Sequence, residues 1–343
     1  MAINKLEIEA FLDLAIGLPI LDVRSPSEFT HAHIIGALSF PLFTDEERKV
    51  VGTGYKQENR ETAIKIGLDY FGPRMRELVE AAEKICDGKP KEILIHCWRG
   101  GMRSGAVAWL LDLYGFKVHS LIGGYKAYRQ WVINQYSTQR EYKILGGYTG
   151  SAKTEILVGL RSSGLDVIDL EGIANHRGSA LGGIGQPPQP SQEMFENILA
   201  SDLHKNRDAR FILLEDESQR IGNMQIPNAF YDMMKSSTVY FLEIPLESRL
   251  DFICKTYGKL PHEQVIEAIY RIQKRLGGLE TKNAVKLIES GDIKGCFDIL
   301  LRYYDKWYLK ASQKKQAIIH VPLEAVDIEA NLKVLEKLFN EHD

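Results

Sequence analysis

Two short stretches of this sequence hold residue types at spacings that could do chemistry. The first is Ile93-Leu94-Ile95-His96-Cys97-Trp98-Arg99-Gly100-Gly101-Met102-Arg103-Ser104. Its apolar start reads as a buried strand, and a helix is expected to begin near Ser104. The residues between must therefore wrap at a helix N-terminus, where backbone N–H groups converge and create positive potential. A cysteine in that position deprotonates easily, and Arg99 and Arg103 add positive charge. Cys97 is thus expected to be a thiolate that attacks or carries an anionic group. Cys86, Cys254 and Cys296 have no such neighbours and read as structural thiols.

The second stretch is Gly146-Gly147-Tyr148-Thr149-Gly150-Ser151-Ala152-Lys153-Thr154, set between a strand over 142–145 and a helix from about Lys153. In such a loop the backbone of Gly147, Gly150 and Ser151 would cradle a diphosphate. Lys153 would neutralise it, and the Thr154 hydroxyl is placed to hold a cation such as Mg2+. Ala152 stands where the pattern Gly-x4-Gly-Lys-Thr has its second glycine, and its methyl is expected to strain or narrow the cradle. Further on, Phe211-Ile212-Leu213-Leu214-Glu215-Asp216-Glu217 ends a buried strand in acids, so Glu215 and Asp216 are candidates for orienting that cation.

The elements that must position these loops follow an α/β pattern, short apolar runs alternating with longer helical ones. Strands are expected over 19–23, 92–96 and 118–121, with helices over 60–87 and 106–113 and a last one through Trp131. The polar segment Asn134–Arg140 separates a first domain, 1–135, from a second, 140–343. In the second, strands are expected over 142–145, 166–170, 210–214, 239–244 and 317–321. A helical stretch over about 246–315 and a C-terminal helix complete it. The segment Gly178–Pro190, GSALGGIGQPPQP, is too rich in Gly and Pro for regular structure and is expected to be a long, functional loop.

Bulk composition narrows the partners. A length of 343 residues favours two domains. A net charge of -3 excludes a molecule that is basic all over, so any RNA site must be a local patch. Two segments, Ile269–Arg275 and Arg302–Tyr308, interleave basic and aromatic residues as single-stranded RNA binders do. Amphipathic helix faces with long cations show the same pattern, and both readings stand. Four scattered cysteines without a CxxC pair argue against a disulfide framework and a structural zinc site. With no signal-like start and no apolar run of about 20 residues, a cytoplasmic protein without membrane contact is expected.

Cys97–Arg103 also satisfies Cys-x5-Arg, the phosphate loop of tyrosine phosphatases, so the loop alone leaves a phosphatase or arsenate-reductase-like enzyme open. The flanks point elsewhere. Leu21-Asp22-Val23-Arg24-Ser25-Pro26-Ser27-Glu28-Phe29, with His31–Ala37, resembles the opening signature of rhodanese domains. Ile122-Gly123-Gly124-Tyr125-Lys126-Ala127-Tyr128 resembles their closing signature.

The two loops, together with Asp169–Ser179 (DLEGIANHRGS) and Glu215–Gly222 (EDESQRIG), resemble the tRNA 2-selenouridine synthase family. The resemblance implies an N-terminal rhodanese-like domain followed by a P-loop-like α/β domain with a helical C-terminal part. It also implies action on 2-thiouridine at the wobble position of tRNAs for Lys, Glu and Gln. In that family the sulfur is geranylated with geranyl diphosphate and then replaced by selenium from selenophosphate. Cys97, with Arg99 and Arg103, would carry the selenium. The loop around Lys153, with Arg177 from the DLEGIANHRGS segment, would hold the diphosphate. No tightly bound cofactor is implied. Selenophosphate synthetase is the partner expected to deliver the selenium donor. An inert phosphate-binding adaptor is disfavoured by the intact cysteine and both arginines.

Overall fold

The run Glu92–His96 lies at the middle of a parallel sheet, and its four residues after Glu92 are all fully buried. Strands covered on both faces read as unbroken apolar runs, which is why this one was legible. In a computed structural model describing residues 3–312 and 317–341, the first sheet comprises β1 (Asn4–Leu6), β2 (Ile20–Asp22), β3 (Ala37–Ser39), β4 (Glu92–His96) and β5 (Lys117–Leu121). Their order is β1-β5-β4-β2-β3, with every neighbouring pair parallel. The core between β4 and its covering helices includes Leu21, Ile95, Val107, Leu111 and Val118.

The second sheet is likewise five-stranded and parallel. Its strands are β6 (Tyr142–Gly147), β7 (Val167–Ile168), β8 (Ile212–Glu215), β11 (Thr238–Glu243) and β12 (Ile318–Pro322), in the order β12-β11-β6-β8-β7. Between β8 and β11 lies a short antiparallel hairpin of β9 (Arg220–Ile221) and β10 (Met224–Gln225). Four helices follow β11: Leu246–Tyr257, His262–Leu276, Gly278–Glu289 and Ile293–Ser312. The expected end of this stretch near Lys315 lies outside the described residues. A separate apolar cluster under these helices contains Leu250, Ile253, Ile269, Phe297 and Leu301. The chain divides into two compact units, Met1–Gln135 and Tyr136–Asp343.

Three sequence expectations shift. The strand expected over 166–170 pairs only at Val167–Ile168, because an Asp169 side-chain oxygen accepts from Gly172 N at 2.6 Å and starts the helix Leu170–Ala174. The helix after the cysteine loop starts earlier than Ser104, at Met102. β1, β3 and the hairpin, each two or three residues long, are too short to display any periodicity. The segment over 178–190 forms turns without helix or strand, as expected. Among the described residues no helix is long and apolar enough to cross a membrane.

Candidate active sites

Cys97 follows directly on β4, and its side chain is almost fully buried. The sulfur accepts hydrogen bonds from Gly101 N at 3.3 Å and Ser104 Oγ at 3.2 Å. Burial by itself would raise the thiol pKa. The Ser104 hydroxyl and the backbone N–H groups of Ser104, Arg99 and Gly101 outweigh it and bring the pKa below the usual value. Backbone N–H groups converge on the sulfur as the sequence leads one to expect; the two arginines are expected to add positive charge to them. Arg103 Nη1 pairs with Glu28 Oε2 at 2.7 Å, and Arg99 reaches the sulfur through its backbone. Ser104, quoted only as the end of the motif, is the side chain that acts directly on the thiolate.

Both flanking signatures hold this loop. In the closing one, Tyr125 N donates to Cys97 O at 2.8 Å and Lys126 N to Trp98 O at 2.9 Å. Gly124, at φ +59°, leaves no room for a side chain: a Cβ there would lie 2.3 Å from Cys97 O and 2.4 Å from Gly100 N. In the opening one, buried Arg24 grips Asp22 through Nε and Nη2 at 3.0 and 2.6 Å and donates to Ala32 O at 2.7 Å. Its guanidinium also lies 3.8 Å above the Tyr125 ring, linking the opening signature to the closing one. His96 is neutral, its pKa pushed down to about 4 by burial.

The second loop leaves the C-terminal end of β6, where open parallel sheets usually bind ligands. Gly150, at φ +86°, lies so close to the helix behind it that a Cβ would come within 2.9 Å of Ile253 Cγ1. Arg249 fixes the loop from below, donating to Thr149 O at 3.0 Å while its fork takes both Asp305 oxygens at 3.0 and 2.8 Å. Ala152 adopts φ +55°, ψ +36°, the left-handed conformation that the missing glycine would take without cost. The expected strain is therefore present in the backbone. Lys153 Nζ folds back onto Gly147 O at 2.9 Å, and Ser151 Oγ donates to Tyr148 O at 2.6 Å.

These residues open onto a cavity of about 1230 Å3 within the second unit. One end is polar, formed by Gly150, Ser151, Lys153, Thr154, Arg177 and Asp216. The remainder is apolar and aromatic, with Leu181, Phe252, Phe297, Leu301, Trp307 and Tyr308. Most of that apolar wall comes from the helices after β11, which sequence reasoning did not connect to the loop.

The acids do not divide as expected. Glu215, assigned to the site, is fully buried at the end of β8 and accepts from Leu170 N at 3.0 Å; it does not line the cavity. Burial, with the charges of Asp169 and Glu171, holds its pKa well above the carboxylate range. Glu171 and Glu217 line the cavity instead. Thr154 Oγ1 donates to Glu171 Oε2 at 2.9 Å, and a Cβ on Gly178 would meet Glu171 Oε1 and Glu217 Oε1, each at 2.7 Å. Burial, with the charge of Asp169, raises the Glu171 pKa; burial and then the charge of Glu171 raise that of Glu217 strongly. Both residues stood in the polar segments singled out above, but nothing in their spacing paired them. Among the described residues no three Asp, Glu, His or Cys side chains converge as a metal site.

A parallel-sheet domain with a cysteine in an N–H-lined loop, followed by a phosphate-loop domain, defines a rhodanese–P-loop protein. Residues 7–130 match the family model described as rhodanese-like domain, and residues 140–337 that of the tRNA 2-selenouridine synthase AAA domain. The chain belongs to the tRNA 2-selenouridine synthase family. It is similar to the tRNA 2-selenouridine synthase of Shewanella piezotolerans, 36% identical over 87% of this chain and 89% of that one. That of Hydrogenovibrio crunogenus is 35% identical over 88% of this chain and 91% of its own length. That of Sulfurovum sp. strain NBC37-1 is 34% identical over 92% and 94%.

Proposed function

We propose that this chain is a tRNA-modifying enzyme that replaces the sulfur of wobble 2-thiouridine by selenium, in tRNAs for Lys, Glu and Gln, through a geranylated intermediate. In the first step the thiocarbonyl sulfur attacks C1 of geranyl diphosphate, an S–C bond forms and diphosphate leaves. The observation that carries this reading is the two-ended cavity. Its polar end has Lys153, Arg177 and the loop amides for a diphosphate, and its aromatic wall suits a ten-carbon isoprenoid tail. Diphosphate departure requires a cation and amides rather than nucleotide hydrolysis, so a strained Ala152 is compatible with it.

In the second step the selenium of selenophosphate attacks C2 of the base, the C2–S bond breaks and geranyl thiol leaves; water then takes the phosphoryl group, the P–Se bond breaks and phosphate is released. Cys97 handles the selenium donor in a loop whose N–H groups suit an anion. A cytoplasmic site of action and delivery of the donor by selenophosphate synthetase are consistent with a tRNA substrate. The Cys-x5-Arg phosphatase reading is weaker, since its arginine is engaged by Glu28.

Thermal melts test the cavity assignment. A ligand at about 100 times its dissociation constant stabilises the folded state by roughly 2.7 kcal/mol. Geranyl diphosphate is expected to protect the protein at concentrations where ATP and GTP do not. Equal protection by ATP with release of phosphate would instead identify a nucleotide-hydrolysing domain.

A further inference from the structure

The two basic–aromatic segments meet in space. Tyr270, Arg271, Lys274 and Arg275 are exposed on the C-terminal half of the helix His262–Leu276. The last three share one face by their i, i+3, i+4 spacing. Arg302, Lys306 and Trp307 are exposed on the helix Ile293–Ser312. The Arg275 guanidinium lies 5.7 Å from the centre of the Trp307 ring, joining the two segments. Trp307 also packs edge-on against Tyr303, with ring centres 6.4 Å apart.

This patch adjoins the cavity. Trp307 is itself one of the lining residues. Arg271 Nη2 donates to Ala180 O at 3.2 Å, and Tyr304 Oη is 3.4 Å from Ala180 N, so the patch also holds the loop that carries Leu181 into the cavity wall.

The local charge balance is positive. Asp298 is paired with Arg302 at 2.8 Å, and Asp305 is taken by Arg249. Glu267 lies one turn ahead of Arg271 on the same helix and marks where the cationic face ends. Cations in a last helical turn complement the helix dipole without any ligand. That accounts for Lys274 and Arg275 but not for a tryptophan left 46% exposed between them and the cavity.

We propose that this patch binds the single-stranded anticodon loop of the substrate tRNA, Lys274, Arg275 and Lys306 facing phosphates and Trp307 stacking on a base. A flipped wobble base would then stand at the cavity mouth, with its 2-thio group facing inward. The proposal rests on the function proposed above and adds the residues that read the RNA.

The experiment compares the full-length protein with the double variant Lys274→Glu/Arg275→Glu and with Trp307→Leu, which keeps the cavity wall apolar. The probe is a fluorescent anticodon stem-loop with 2-thiouridine at the wobble position, titrated at several salt concentrations. For the double variant, affinity is expected to fall at least tenfold. The log–log salt dependence should become shallower by about 1.4, from roughly 0.7 per single-strand phosphate contact. Trp307→Leu is expected to lose about tenfold with the salt slope unchanged, as a lost base stack should. Thermal melting matching the unsubstituted protein establishes that the variants fold. Lys306→Glu, at the edge of the patch, gives a second reading of the slope. Variants that bind the stem-loop as tightly as the unsubstituted protein, with the same slope, overturn the patch and leave the proposed function standing. Failure of the unsubstituted protein to bind the stem-loop overturns both.

Discussion

Arg103 and Glu28 form a 2.7 Å ion pair that joins the cysteine loop to the opening signature of the first domain. Glu28 also accepts from Ser25 N at 3.1 Å, and the Ser25–Glu28 capping box starts the helix Pro26–His31. One carboxylate thus caps a helix and neutralises an arginine of the cysteine loop. Burial tends to raise the Glu28 pKa, but Arg103 outweighs it, and the group stays ionised. The thiolate therefore depends on neutral donors rather than on a nearby full charge.

Ser104→Ala tests that dependence. It removes the side-chain donor to Cys97 Sγ and leaves the Gly101 N–H in place. A lowered thiol pKa keeps the thiolate populated to lower pH, so losing this bond shifts the midpoint of Cys97 alkylation upward. One hydrogen bond to a charged group, worth about 1.5–3 kcal/mol, corresponds to about 1–2 pH units. Rates of iodoacetamide labelling at Cys97, followed by peptide mass spectrometry across pH, read the shift. An unchanged midpoint would return the credit to the arginines.

Gly124→Ala should damage the same site from the other side. Its methyl would overlap Cys97 O and Gly100 N, both backbone atoms, at a positive φ. The loop must open, so slower Cys97 alkylation and a destabilisation above about 2 kcal/mol are expected. Chemical denaturation of the purified variant gives the second number.

At the other loop, Ala152→Gly is expected to stabilise. Relief of left-handed strain, about 1–2 kcal/mol, exceeds the entropic cost of glycine, about 0.4–1 kcal/mol. A net gain near 1 kcal/mol corresponds to a Tm rise of roughly 2–4 °C for a domain of this size. A lower Tm in a calorimetric scan would mean that the Ala152 methyl contributes packing worth more than the strain.

Lys153→Ala leaves the diphosphate end of the cavity without its loop cation. Loss of one partner of a desolvated charge pair costs about 2–5 kcal/mol, so affinity for geranyl diphosphate should drop at least thirtyfold. Titration calorimetry measures it, and Cys97 alkylation in the same variant should remain unchanged.

The paired acids predict a pH effect of definite sign. The Glu217 pKa is raised in the folded state above its unfolded value, by burial first and Glu171 next. The stability from the protonated group is therefore full below the unfolded pKa, near 4.3, and is lost as pH rises through the folded one. Glu217→Gln mimics the protonated form and should raise Tm at pH 8 while changing it little at pH 5. Equal shifts at both pH values would show that Glu217 does not titrate in this range.

Much of this was already written in local sequence. Cys97 after an apolar run, and Lys153 after a Gly-rich turn, each sit where strand, loop and helix follow within about a dozen residues. In such a unit the backbone path is dictated by neighbouring residues, so β4, β6 and the helix start at Lys153 were read correctly. Strain at Ala152 was also legible, because the pattern calls for glycine there; that it takes the form of a left-handed backbone came from the structure.

Pairings across long separations were not legible. Arg103 meets Glu28 over 75 positions, Arg249 meets Asp305 over 56, and Arg275 meets Trp307 over a whole intervening helix. Glu215 is held in the core by Leu170 N, while Glu171, on the helix after β7, and Glu217, two residues past the end of β8, reach the cavity; strand alternation alone would have put Glu215 and Glu217 on one side. The sequence by itself determined which residues could do chemistry and which loops hold them. The tertiary structure alone decided which charges are already neutralised, which acids crowd together and what walls the cavity. Those outcomes depend on burial and on side chains distant in sequence, which no local pattern records.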